Sequence, residues 1–464
     1  KFEIAYAKES TKHETYLEEK KEAIPKLHYA LTELTEGGLI KWDRSIDKNA
    51  FNMHPVVRGH AKEINLSDNK TTYKKARDYF SAIPEPKETE KITDISHISV
   101  QLFRIHSTIG AELYEETLEF YKKYLHNVLT TRLYNFSYQV EYLKALFKND
   151  ELKISSLQEQ EWVYRNLSYG LYHIGDKKKA LQMIHQAIKI NLNTKNWANL
   201  STCLATLINI YNSLNNLFAS NKMSQLRYGL CEAFNLNDIK NSLRFLVCTE
   251  IMRGNFTMAN QFFKENEEYV NNNANSLFWK WINQYYQGNA SKKLWDNAYQ
   301  KARNENDLLD QRYCLTEMAI WKLKQGKIAP ANENINKAIE LMHIMGEYCP
   351  SCYAIKAWIL AKLNKTNQAK NQLLLIDEKD QGYYAALVWW KLGETAKSEE
   401  SAVRAYKNSW SSGPPYSYSS TLKKAKELIE EKNWPIPKLP DFDANLEIPF
   451  LKEIQAIIDG IEKK

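Results

Sequence analysis

YRNLSYGLYHIGDKKKALQMIHQA, residues Tyr164 to Ala187, decides the fold. Tyr164, Leu167, Ser168 and Leu171 recur three or four apart, which lays one apolar stripe along a helix. Gly175-Asp176 follows, and glycine accepts the left-handed backbone that ends a helix and reverses the chain. Ala180, Ile184 and Ala187 then form a second stripe, so the segment reads as two antiparallel helices. The same offsets return at Leu315, Met318, Ala319, Gly326, Ala331, Ile335 and Ala338, and again at Tyr353, Ala357, Leu360, Asn364, Ala369 and Leu373. Looser copies place Ala259 and Phe263 after Gly254, Leu294 after Gly288, and Ala402 and Ala405 after Gly393. A further copy without glycine fits between Leu207 and Ala233. Small residues fall where two helices approach closely, and a beat of about 34 to 40 residues is the period of a stacked solenoid.

These small-residue, turn and alanine positions resemble the tetratricopeptide repeat family over about residues 155 to 410. The resemblance implies a mostly α chain, a tetratricopeptide-like α-solenoid of stacked helical hairpins. It also implies a face that binds peptides or protein surfaces.

Composition agrees. A chain of 464 residues is too long for one ordinary core and suits a solenoid or several domains. Its many Tyr, Trp and Phe residues are expected to pack between repeats, with the remainder serving as apolar anchors on a binding face. The stretch around Phe278, Trp279, Trp281, Tyr285 and Trp321 is the richest, although its members read as core more readily than as contacts. The net charge of +7 arises from Lys and Glu scattered along helices, with no long basic block, so specific nucleic-acid binding is not expected. No apolar run is long enough to cross a bilayer and no signal-peptide pattern opens the chain, which makes a cytoplasmic location the expectation.

Six cysteines are present, most of them inside apolar helical stripes where a free thiol acts as a small core residue. Cys349-Pro350-Ser351-Cys352 has the spacing of a redox pair or of half a zinc site. It stands alone, and Pro-Ser there also serves as a helix start. His343 precedes it, but one histidine does not complete a tetrahedral site.

The first sixty residues follow another rule. Ala23, Ile24, Leu27, Leu31 and Leu34 form a helical stripe that Gly37-Gly38 stops, and Leu39 to Trp42 is extended. Asp43 to Asn49 turns the chain, Phe51 to Met53 extends again, and His54-Pro55-Val56-Val57-Arg58 enters a helix with Pro55 in its first turn. Helix, strand, turn, strand, helix outlines a winged-helix unit. Leu34, Gly38-Leu39, Phe51 and Met53 through Arg58 resemble the winged-helix region of STAND-type signalling nucleoside triphosphatases, the class of the NACHT and NB-ARC switches, and in particular its bacterial branch. In that family a wing histidine contacts the phosphates of bound ADP and holds the protein closed. The resemblance assigns that role to His54, with Pro55 standing where many plant and animal members have aspartate.

No phosphate-binding loop ending in Lys-Ser or Lys-Thr occurs, and no strand with acidic magnesium ligands precedes the wing. The chain is therefore expected not to be an enzyme and to hold no cofactor itself. ADP or ATP with magnesium would belong to a nucleotide-binding core upstream of Lys1, beside an effector domain. No catalytic residue and no metal ligand is assigned.

The expected organisation is a partial winged-helix domain at 1–68, a linker with irregular helical hairpins at 69–154, repeats at 155–412 and a C-terminal helix with a proline-rich capping tail at 413–464. In the second segment, helical but less periodic, Ser96–Leu113 and Leu118–Phe147 carry rows such as Leu118, Tyr121, Leu125 and Val128, with Tyr134, Tyr138 and Leu143 further on. His97, His106 and His126 fall there without sharing a face and read as ordinary interior or surface histidines. In the last segment Gly413-Pro414-Pro415 breaks the repeats, Leu422 to Ile429 makes one helix, and the prolines from Trp434 to Asp443 force extended chain that folds back as a cap.

The function implied is a sensor half of a bacterial switch. Its repeats detect a protein or peptide trigger, and activation proceeds through oligomerisation, in antiviral defence or transcription control. Two alternatives stand beside it: a repeat scaffold or adaptor on its own, and a winged-helix transcription regulator with a repeat sensor.

Overall fold

The computed structural model describes residues 40–42, 51–53, 69–83, 92 and 94–462. The chain divides into two compact units, one comprising 1–133 with 141–154 and the other 134–140 with 155–464.

In the first unit β1 (Ile40–Trp42) pairs antiparallel with β2 (Phe51–Met53), Ile40 opposite Met53 and Trp42 opposite Phe51. These are the two extended segments read from the sequence as wing strands. The flanking helices of that outline, and His54 with them, lie outside the described residues. Farther on, α1 (Asn69–Ser81) packs against α2 (Ser99–Gly110), where the Tyr73 ring occupies the space that a side chain at Gly110 would need. Arg77 clamps Glu116 with two bonds, 2.6 and 2.7 Å, at the start of α3 (Tyr114–Phe120). The helical path continues in wider i→i+5 turns over Tyr121–Leu125 and Val128–Arg132, and Leu118, Tyr121, Leu125 and Val128 are all buried as their row implies.

The stretch from Leu118 to Phe147, which carries the helical rows, is interrupted. Tyr134 takes a positive φ and ends that path, and α4 (Phe136–Lys144) is separate. Phe147–Lys148 then pairs with Glu151–Leu152 as a two-stranded ribbon, β3 and β4. Asn149 and Asp150 both have positive φ, the conformation a two-residue hairpin requires and one that Asn and Asp tolerate.

The second unit is the repeat stack, a tetratricopeptide-like α-solenoid. Its hairpins are α5–α6 (Leu157–His173, Lys177–Thr194), α7–α8 (Trp197–Ser213, Leu217–Ala233) and α9–α10 (Ile239–Arg253, Phe256–Glu265). After the short α11 (Glu267–Asn271) come α12–α13 (Ala274–Tyr286, Lys292–Asn304) and α14–α15 (Leu308–Lys324, Ile328–Met345). The stack ends with α16–α17 (Pro350–Lys362, Thr366–Leu373) and α18–α19 (Tyr383–Lys391, Thr395–Trp410). Gly175, Gly254, Gly288, Gly326 and Gly393 make the reversals with positive φ, and Asn215 and Asn364 make those of α7–α8 and α16–α17 without glycine. Asn and Asp also start helices: Asp176, Asn196, Asn216, Asn273 and Asp307 each accept the backbone N–H three residues on. At the closest crossings a small residue bonds across the pair, as where Ser168 Oγ donates to the carbonyl of Ala180 at 2.7 Å.

Beyond the repeats, α20 (Ser419–Glu431) is the helix expected there, and no helix forms from Trp434 to Asp443. The chain then makes α21 (Leu451–Glu462), unforeseen although Leu451, Ile454 and Ile458 share one stripe. This helix packs on α8, with Ile458 against Gly229. The extended tail is seated on the stack at both ends of its path. Trp434 meets Trp390, Trp410 Nε1 donates to the Pro440 carbonyl at 3.0 Å, and Phe442 packs between Phe218 and Tyr416.

Candidate functional site

The core stripe of α14 is Cys314, Leu315, Met318 and Ala319. A second stripe, Tyr313, Glu317, Trp321 and Lys324, rises at helical spacing beside it on a helix that touches the first helices of the hairpins before and after. Tyr172 comes from α5, Tyr285 and Tyr286 from α12, Tyr384 from α18 and Lys424 from α20, and each stands within electrostatic reach of another member of this group. The result is an inner face lined with tyrosines around one carboxylate and two amines.

No hydrogen bond or ion pair among the described residues reaches the side chains of Glu317, Lys324 or Lys424. Burial raises the Glu317 carboxyl above its ordinary range, against the pull of Lys424 and Lys324. Burial lowers both lysines, Lys424 further through its neighbour Lys324. Tyr384 and Tyr286 are pushed up by burial and then by Glu317. Lys324 Nζ lies 4.6 Å from the centre of the Tyr285 ring, and the buried Tyr285 hydroxyl has no hydrogen-bond partner in the structure. With Glu317 and Lys424 half-buried, Lys324 exposed beside them and none of the three paired, the charges favour a ligand that supplies counter-charge.

One turn earlier on α14 the charges are paired. Arg312 approaches Glu347 at 2.7 Å through Nε and 3.1 Å through Nη2, with both side chains nearly sealed from solvent. His173 faces the same carboxylate at 3.6 Å and stacks on Phe136 with ring centres 4.1 Å apart. Burial drives the His173 pKa down and keeps the ring neutral; Glu347, which burial would raise, is held low by Arg312 and His173. The Tyr348 N–H donates to the His173 carbonyl at 2.9 Å, so the turn after α15 is bonded to the end of α5, more than 170 residues away in sequence.

The aromatic stretch singled out by sequence is mainly interior: Phe278, Trp281 and Tyr285 are buried in one cluster, with Trp279 and Trp321 packed partly exposed against it. His343 bonds the Tyr353 hydroxyl at 2.9 Å rather than approaching the thiols, and His106 meets the Tyr142 hydroxyl at 3.3 Å. Among the described residues no group of three His, Cys, Asp or Glu could hold a metal ion, and no helix is long and apolar enough to cross a membrane. Sequence reasoning passed over Glu317, Lys324, Lys424, Tyr172 and Tyr384. The signal for the α14 members was the second stripe on a helix already assigned to the core; for Lys424 and the distant tyrosines no sequence signal existed, since only the stacking brings them near.

No family model matches the chain, and no curated protein matches it. Among solved structures it is similar to a Signal Transduction ATPase with Numerous Domains (STAND) protein with a tetratricopeptide repeat sensor from Pyrococcus horikoshii, at 13% identity and a TM-score of 0.28. The match covers 93% of this chain and 55% of that one, so the chain spans about half the length of that protein.

Proposed function

We propose that this chain is the sensing part of a STAND-type signalling nucleoside triphosphatase, and that its inner face around α14 receives a segment of a protein or peptide trigger. The observation that carries the recognition half is the unpaired Glu317, Lys324 and Lys424 set among tyrosines on the inner face. Two amines against one carboxylate leave a net positive site, so the segment it fits carries a carboxylate beside an aromatic or apolar side chain. That carboxylate would lie between the lysines, and the tyrosine hydroxyls would take its remaining lone pairs.

The test is a peptide array varied in charge and aromatic content, probed with the full chain and with a Lys324→Met, Lys424→Met double variant. Selection of acidic, aromatic peptides by the parent and its loss in the variant is expected. Unselective binding, or identical selection by both, would overturn the reading.

The switching half rests on the resemblance of Leu34 through Arg58 to the family's wing. In this reading the nucleotide core, with ADP or ATP and magnesium, belongs to a longer cytoplasmic protein of bacterial type. The present chain contributes recognition without catalysis, and release of the closed state permits oligomerisation. His54→Ala in that longer protein is expected to weaken ADP retention about ten- to a hundredfold, the worth of one charge-assisted hydrogen bond. Unchanged ADP affinity would remove the sensing role of His54 and leave peptide recognition untouched.

A further inference from the structure

Cys349-Pro350-Ser351-Cys352 opens α16, with Cys349 as the residue before the first turn and Pro350 inside it. The two sulfurs lie 3.3 Å apart as free thiols. They differ in surroundings. Cys349 is half-buried, whereas Cys352 has no exposed surface and touches the Thr316 hydroxyl at 3.4 Å. Arg312, itself almost wholly buried, points Nη1 at the Cys349 sulfur from 3.4 Å, and the Ser351 hydroxyl stands 3.2 Å from it. The remaining cysteines, at 203, 231, 248 and 314, are buried one by one in the hairpin cores.

We infer that Cys349 and Cys352 form a thiol–disulfide exchange site, in which Cys349 attacks a small-molecule disulfide and Cys352 resolves the product. Guanidinium, serine hydroxyl and helix N-terminus all stabilise negative charge on the Cys349 sulfur, which makes its thiolate the available nucleophile. The hydrogen bond from Cys352 and the Arg312 charge hold the Cys349 thiol below the ordinary range, while the same pairing and burial push Cys352 up. The Cys349 thiolate attacks one sulfur of RSSR, the S–S bond breaks and RS⁻ leaves to take a proton. The Cys352 thiol then gives up its proton, attacks the Cys349 sulfur and expels the second RS⁻. In sum the protein dithiol loses two electrons and two protons, and RSSR receives both as two RSH. Closure demands little movement, because the sulfurs already touch within one helical turn.

The experiment treats the full folded chain with oxidised glutathione, quenches by alkylation and maps every cysteine by mass spectrometry. A reversible internal disulfide is expected in the peptide holding both cysteines, formed at least about tenfold faster than any modification of Cys203, Cys231, Cys248 or Cys314. Cys352→Ser should stop the reaction at a glutathione adduct on Cys349, and Cys349→Ser should abolish both disulfide and adduct. Circular dichroism confirms that each variant is folded. Two free thiols at 349 and 352 after treatment that modifies a control exposed thiol would overturn the assignment. So would an adduct on Cys352 in the Cys349→Ser variant formed at the parent rate.

Discussion

Replacing Arg312 by Met removes the cation from the bond network that ties the turn after the fifth hairpin to the first hairpin. In the parent, Glu347 meets Arg312 through two nitrogens at 2.7 and 3.1 Å, and the neutral His173 stands beyond hydrogen-bond reach at 3.6 Å. Methionine fills much of the same volume, so the loss is chiefly electrostatic. A carboxylate left alone in this setting costs about 3–5 kcal/mol, the usual penalty for breaking one side of a buried pair. The pH dependence separates this cause from poor packing. In the parent the Glu347 pKa is held below its unfolded value, so its stabilisation is present above that value and fades as pH falls through the folded pKa. In the variant burial stands against His173 alone and the pKa moves up, so the deficit grows as pH rises from about 4.5 and closes below it.

Urea unfolding of parent and variant at pH 4.5 and 7.5, followed by circular dichroism, reads the difference directly. Amide exchange at Gly175 and Tyr348 reports whether the seam opens before the rest, as stacked repeats permit. Arg312→Met combined with Glu347→Gln should recover more than half the loss, since an amide buries at lower cost than a charge. A deficit under about 1 kcal/mol at pH 7.5, or one of equal size at both pH values, would refute the reasoning.

Asp310, pushed up to about 7 by burial and by the neighbouring Asp307, binds a proton in the folded chain that the unfolded chain has released. Stability should therefore fall as pH rises from about 4 to 7, and Asp310→Asn, which keeps an acceptor for Asn275, should flatten that slope in urea titrations; parallel profiles would count against it. Gly175 and Gly326 share positive φ, but the Tyr348 ring lies 2.8 Å from where a Gly175 side chain would begin and nothing stands within 4 Å of Gly326. Gly326→Ala should cost about 1 kcal/mol from backbone strain and Gly175→Ala at least about 1 kcal/mol more, with equal costs in thermal melts refuting the Tyr348 contact. Ile454→Ala, which empties a fully buried position on α21, should weaken that helix by about 2–4 kcal/mol. Exchange in 451–462 should rise while α14 stays protected, and unchanged exchange there would show that α21 is held by something else.

What could be read from the sequence was whatever a single helix or turn encodes by itself. Gly175, Gly326 and Gly393 marked reversals because their conformation is local, and Ala180, Ala331 and Ala369 marked close crossings because no larger side chain fits. Asn215 makes the same reversal with a Cβ, so only the empty interval betrayed it. The failures at Tyr134 and at Asn149-Asp150 are of one kind: a positive φ at a residue other than glycine ends an apolar row without changing its periodicity.

The candidate site was less legible for a reason that lies in the stacking. A helix in a solenoid has a face toward its own hairpin, faces toward neighbouring hairpins and a face toward the inside, and the apolar signal of the first two masks the third. Tyr313, Glu317 and Lys324 looked like ordinary variation between core positions, yet they form the side of α14 that meets tyrosines from hairpins before and after it. Arg312 and Glu347 stand on either side of a whole hairpin, and neither residue in isolation suggests burial. Partnership makes it tolerable, since each cancels the charge that the other could not keep alone. The Cys349 sulfur shares that arginine, so the dithiol at the start of α16 touches α14, the helix that carries the recognition face. Oxidation would take the negative charge from the Cys349 sulfur beside Arg312, leaving Glu347 as its remaining counter-charge and the inner face more positive than before. A ligand bearing a carboxylate would then bind the oxidised chain no less tightly than the reduced one, and an acidic peptide that bound the oxidised form more weakly would separate the two sites.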